Sequence, residues 1–418
     1  MTEGSTRGDW TRNGGVIAVA MAVMNVTTYG YTMVAARLLG PGSYGAFAAV
    51  MGLLLVIGVL QLGLQTTGAR RIAAQPESVA EVERALMRVT YGAAAVLALV
   101  CLLLSPLVDR LLHLGSLPTA VLVAFTALPM TVMGGQAGVL QGERRWRALA
   151  ALYLAAGVPR LLLGGALLAW RPTETMAVLA VTVAFVAPVV VGWWALRRSA
   201  PGRSQAATGL HDERSILAET FRNSHALLAF FALSNADVII ARDVLGGHES
   251  GLYAGGLILV KAVLFLPQFV VVVAFPSMSD GRSRGRALAG SVGVVLVLGV
   301  VSTLGALVLS GLALVFVGGP EYAEIQDRLW LFAILGTVLS VVQLLVYSVV
   351  ARQSRRSVYL LWGGLVALVL ATRAVDDATS LALVVVAVDA VVMLALLATS
   401  VHGLRGSRTV VREDARVG

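Results

Sequence analysis

The chain has 418 residues, 58% of them hydrophobic and 13% charged, with a mean hydropathy of +0.84. A soluble domain holds roughly 45 to 50% apolar residues, so this surplus excludes a water-soluble enzyme, and the formal charge of +9 does not mark a nucleic-acid partner. Aromatic residues make up only 6% and the apolar runs are continuous instead of alternating, which favours membrane helices over a transmembrane barrel.

In chain order, the first run, Gly14 to Ala36, is too long for a signal-peptide core and is expected to stay as the first span. It ends at Arg37 and a glycine- and proline-marked turn, Leu39-Gly40-Pro41-Gly42-Ser43. Further runs of spanning length cover residues 44–65, 88–108, 119–140, 148–169 and 176–196. The stretch Arg70 to Met87, with Pro76 between two charged helical pieces, reads as a surface segment after the second span. A polar connection from Arg197 to Thr220 follows, with Ile216, Leu217, Thr220 and Phe221 at the spacing of an amphipathic helix on the inner surface. Six more runs cover 221–241, 251–274, 289–317, 328–350, 357–372 and 379–401. The expected domains are a six-helix lobe over 1–198, the linker over 199–220, a second six-helix lobe over 221–402 and a basic tail over 403–418.

The second half repeats the first. Shifted by 206 positions, Leu39 falls on Leu245, Gly40 on Gly246, Gly45 on Gly251, Phe47 on Tyr253 and Ala48 on Ala254, and the same shift lays nearly every apolar run on another. Six spans per half make this a parallel repeat about an axis along the membrane normal. Charge alternates with it. Of the 32 basic residues, 24 lie in segments on the side of the N-terminus and six in the opposite loops, so both termini are expected in the cytoplasm. The outer loops are short, and the one cysteine, Cys101, lies within an apolar run, so neither a disulfide framework nor a thiol metal site is expected. No nucleophile elbow or phosphate-binding loop occurs, and the chain is expected to be neither an enzyme nor cofactor-dependent.

Two basic residues sit near mid-span, Arg160 in the fifth run and Lys261 in the eighth, where a charge facing lipid would cost at least about 2.5 to 3.5 kcal/mol. Both are candidates for a cavity that holds an anion. Asp237 and Asp389 are the mid-span acids, candidates for a cavity role or for coupling to protons or sodium; an ion pair of Asp237 with Arg242 near the interface is its structural alternative. Polar stripes add Asn25, Gln61, Gln65 and Gln268, for which interhelical hydrogen bonding is the plain alternative to a cavity role.

Several motifs stand in order: Ala36-Arg37-Leu38-Leu39-Gly40-Pro41 with Tyr44-Gly45, Gly63-Leu64 leading to Arg70-Arg71-Ile72-Ala73, and Gly138-Val139-Leu140-Gln141-Gly142 with Arg145. Asn235-Ala236-Asp237 then leads through Gly251-Leu252-Tyr253-Ala254 to Leu266-Pro267 and Phe275-Pro276. In these the chain resembles the polysaccharide-biosynthesis, lipid-linked oligosaccharide flippases of the multidrug, oligosaccharidyl-lipid and polysaccharide exporter superfamily. The resemblance implies an all-α polytopic protein whose two six-helix lobes flank a central cavity. It implies a cargo of polyprenyl-pyrophosphate-linked glycan, carried from the inner to the outer leaflet of a bacterial plasma membrane by alternating access. Its partners would be that glycan, membrane lipids and the glycosyltransferases or polymerase that handle the glycan. A multidrug exporter of the same superfamily is the alternative, disfavoured by two cationic residues that would repel a cationic drug. A membrane polysaccharide polymerase would need longer outer loops.

Overall fold

The computed structural model describes residues 3–197, 213–264, 284–352 and 355–417. Every regular element among them is helical, and the described part of each of the twelve expected spans falls on helix. Among the described residues nine stretches have the length and hydropathy to cross a membrane, and one of them, Gly15–Ala74, holds the first two expected spans. The eighth and eleventh are shorter where described, as Gly247–Leu264 and Ser357–Ala371.

The helix α1, Glu3–Ile57, is broken once, at Gly40, whose φ of 67° and ψ of 171° lie where only glycine is comfortable. Pro41 then opens the continuing helix, at a first-turn position where its missing N–H costs nothing. The matching break in the second half separates α9, Glu213–Val244, from α10, Gly247–Leu264. After Gly58 comes α2, Val59–Ala74, and then α3, Val79–Leu103. The charged pieces on either side of Pro76 are therefore not separate surface helices; they are the end of α2 and the start of α3, which begins well before the third apolar run. A second break at Leu104 leads into α4, Ser105–Leu111, with proline in its first turn. The repeat reproduces that break to within a residue between α11, Arg284–Val308, and α12, Ser310–Val317, although no proline marks it there.

The remaining helices are α5, Leu117–Gly142; α6, Trp146–Trp170; α7, Glu174–Ala184; α8, Val186–Arg197; α13, Leu329–Arg352; α14, Arg355–Ala371; and α15, Ala378–Val417. Two compact units result. The first joins Met1–Leu39 to Ala46–His225, the second Gly40–Gly45 to Ala226–Gly418.

In the first unit α5 is the central helix, packed by α2, α3, α6, α7 and α8. Gly134, Gly138 and Gly142, four residues apart, make one side of α5 flat. A side-chain carbon at Gly138 would sit 2.8 Å from the carbonyl oxygen of Gln65, so the backbones of α2 and α5 meet with nothing between them. In the second unit the repeat-equivalent α13 takes the central place against α10, α11 and α15.

Within each unit the loops of like charge lie together. In the first unit the arginine-rich connections meet, Arg70 and Arg71 on Glu219 and Arg88 on Glu213 at 2.8 Å. In the second the arginine-poor loops meet: Gly40 lies against Glu321, His248 faces Glu324 at 3.0 Å, and Glu249 accepts from the Ala378 amide at 3.1 Å. The linker expected over 199–220 is described only from Glu213, where it is the start of α9. There Ile216, Glu219 and Thr220 turn inward, and Leu217 and Phe221 outward.

Candidate functional site

In the first unit α6 is held against α1 by glycine: a side chain at Gly157 would strike the Met24 backbone, and one at Gly164 the Tyr31 ring. This close approach buries Arg160, the mid-span arginine of α6, to 8% exposure. Its guanidinium carbon stands 4.8 Å from the centre of the Phe185 ring, an attraction worth up to about 2 kcal/mol when water is absent. Tyr31 lies within electrostatic reach, but its hydroxyl donates to the Ala177 carbonyl at 2.7 Å. No carboxylate pairs with Arg160 among the described residues, and its Nε has no hydrogen-bond partner. A buried cation answered only by an aromatic face is costly in these surroundings.

In the second unit the α9–α10 hairpin brings Asp237 and Tyr253 to one level. The Tyr253 hydroxyl donates to Asp237 Oδ2 at 2.9 Å and the Val238 amide to Oδ1 at 2.8 Å. Asp237 is 2% exposed, and it turns inward to these donors while Arg242 donates to Ser250 Oγ at 3.2 Å. The interfacial ion pair of Asp237 with Arg242 is thus replaced by a buried bond to Tyr253. From α15 comes Asp389, 1% exposed, within electrostatic reach of both Asp237 and Tyr253 and with an unbonded Oδ1. Lys261 is half-buried on α10, about 12 Å along the helix from Tyr253, yet its charge and that of Asp237 act on each other. α9 continues to Val244, which sets Asp237 deeper than a span ending at residue 241 suggests.

The polar stripes go elsewhere. Gln65 donates to Gln141 Oε1 and to the Tyr153 hydroxyl, both at 2.9 Å, tying α2 to α5 and α6. Gln61 is half-buried with its backbone on Gly134, and Asn25 is half-buried on α1. Gln268 lies outside the described residues. Tyr31, Phe185 and Tyr253 were not singled out in the sequence as site residues, although the repeat pairs Tyr253 with Phe47.

Apolar helices of spanning length, with buried charges of both signs among them, make this a multi-pass membrane protein. Solved structures with the same fold include an inward-facing multidrug resistance MATE family transporter of the MOP superfamily, with a TM-score of 0.73 at 10% identity. That match covers 94% of this chain and 99% of the other. A MATE protein in the bent conformation matches at TM-score 0.66 and 12% identity over 98% and 99%. A MOP superfamily transporter from Pyrococcus furiosus Vc1 (DSM3638), described as having a binding pocket of reverse polarity, matches at 0.62 and 12% over 90% and 93%. Among curated proteins none matches by sequence. The profile of the family described as polysaccharide biosynthesis protein matches residues 10–282, about two-thirds of the chain, and the chain belongs to that family.

Proposed function

We propose that the chain is a flippase that moves a polyprenyl-pyrophosphate-linked glycan from the inner to the outer leaflet of a bacterial plasma membrane, with both termini in the cytoplasm. The observation that supports this reading is Arg160, buried and with no carboxylate partner among the described residues. Two negative phosphates complement such a site, and a cationic drug does not. Lys261, half-buried in the last described turn of α10, is the second anion contact in this reading. Asp237 and Asp389, two buried carboxylates within reach of one another, are discharged by a proton or a sodium ion, which couples export to an ion gradient. Glycosyltransferases that load the lipid carrier precede this step, and a polymerase that consumes the glycan follows it.

The test is translocation of a fluorescent polyprenyl-pyrophosphate glycan from one leaflet to the other in proteoliposomes, read by a membrane-impermeant quencher. Arg160→Ala and Lys261→Ala are expected to insert normally and to lose transport by about tenfold or more each, the scale of one lost charge-assisted hydrogen bond. Lys261→Arg keeps partial transport because its charge persists. If both alanine variants transport like the parent, the anion-site reading is wrong. Transport of an organic cation in place of the glycan would assign the chain to the multidrug class.

A further inference from the structure

A feature that the transport reading leaves unused lies at the arginine-rich end of the first unit. There α3 and α8 both pack on α5, and between the start of α3 and the end of α8 runs a groove of about 220 Å³. Glu83, Met87 and Tyr91, four residues apart, form its α3 wall, and Trp193, Leu196 and Arg197 its α8 wall. The Arg197 guanidinium carbon lies 3.7 Å from the centre of the Trp193 ring. Glu83 is half-buried, and neither it nor Arg197 has an ion-pair partner among the described residues. The charges of Glu143, Arg145 and Arg84 also reach Glu83. Tyr91 and Trp193 are 48% and 45% exposed, as aromatic side chains are where hydrocarbon gives way to headgroups.

Charge decides what fits. An anionic headgroup on Arg197 would meet Glu83, and a cationic amphiphile on Glu83 would meet Arg197. A headgroup carrying both signs satisfies both walls. We infer that the groove between α3 and α8 is a headgroup site for a zwitterionic phospholipid with a primary ammonium, its phosphate on Arg197 and its ammonium on Glu83. Its chains lie along Met87, Tyr91 and Leu196. A quaternary ammonium fits less well, because it cannot donate a hydrogen bond to the Glu83 carboxylate. The site does not depend on what the chain transports.

Native mass spectrometry of the detergent-purified full chain tests this, with dioleoyl phosphatidylethanolamine, phosphatidylcholine and phosphatidylglycerol offered at equal concentration. Phosphatidylethanolamine is expected to be retained over both others. Glu83→Gln and Arg197→Gln should each weaken its binding by about tenfold, as the loss of one charge-assisted hydrogen bond does. Glu83→Asp, which keeps the charge, should retain the order of preference. If a variant does not fold, the ranking of the three lipids on the parent chain still decides. A preference for phosphatidylglycerol, an unchanged ethanolamine signal in folded Glu83→Gln, or displacement of the lipid by inorganic pyrophosphate would overturn the assignment.

Discussion

The offset that relates the halves lays Tyr31 on Asp237 and Phe47 on Tyr253, and in both units the paired side chains meet. In the first unit the meeting is between rings, edge to face with centres 5.8 Å apart. In the second it is a hydrogen bond of 2.9 Å to a carboxylate. A third group then sets the sign of each pocket. Arg160 enters the first from α6, where the second half has Val366; Asp389 enters the other from α15, where the first half has Val183. The backbone frame asks only that two side chains of suitable size meet beneath a helix break. One frame therefore carries a buried cation in one copy and an acid pair in the other.

The largest expected effect comes from copying the acid pair into the first unit. Tyr31→Asp combined with Phe47→Tyr gives Arg160 a carboxylate partner of its own. Glycan transport should fall about a hundredfold or more, the scale of a buried charge pair, while the melting temperature holds. Retained transport would mean that Arg160 does not act as a free cation. Next is Asp389→Asn, which leaves Asp237 without its acidic neighbour. Gradient-driven accumulation in proteoliposomes should drop about tenfold with exchange intact, within the ordinary range of coupling energies.

Smaller differences separate the two tyrosines. Tyr253→Phe removes a donor from a buried carboxylate and should cost about 1.5 to 3 kcal/mol, whereas Tyr31→Phe loses a bond to a neutral carbonyl and should cost about 0.5 to 1.5. Denaturation in mild detergent would rank them, and the reverse order would refute the charged character of the second pocket. Last come the caps of the sixth span in each copy. Thr173 caps α7 by accepting from the Met176 amide at 3.3 Å, and Asp377 caps α15 by accepting from the Thr379 and Ser380 amides at 2.7 and 2.9 Å. Either change to alanine should cost about 0.5 to 2 kcal/mol. Only the second cap responds to acid. Hydrogen bonds from the Ser380 amide and hydroxyl hold the Asp377 carboxyl below its usual 3.8. Its stabilisation is present above that value and is lost as the pH falls through the lowered one. The penalty of Asp377→Ala should vanish in strong acid, and that of Thr173→Ala should not.

Much of this was legible from spacing. The 206-residue shift predicted a matching turn after the first span of each half, with Gly40 on Gly246, and the chain is broken at both places. The early start of α3 was not legible: Glu81, Glu83, Arg84 and Arg88 interrupt the apolar run, yet they are helix formers whose apolar neighbours Val82, Ala85 and Leu86 are buried against the unit. Arg160, Lys261, Asp237 and Asp389 stood out because charge is expensive at mid-span. What each of them meets was hidden. Phe185 and Tyr253 look like ordinary apolar residues in an apolar run, and the approach of α15 to the α9–α10 hairpin is a long-range event with no local signature.

One feature of the chain path bears on how the protein can be divided. Residues Gly40–Gly45, carried by the first half of the sequence, pack with the second unit, where Gly45 lies so close to Gly251 that a side-chain carbon would come within 3.0 Å of its backbone. The chain therefore changes unit at residues 39, 45 and 225, not once at the linker. A gene cut between residues 198 and 212 would yield two polypeptides of which the second lacks part of its own interior. The first would carry that part as a six-residue insert. Expressed together, the fragments hold a handle by which to find each other, and expressed alone, the second presents the groove that the insert would have filled.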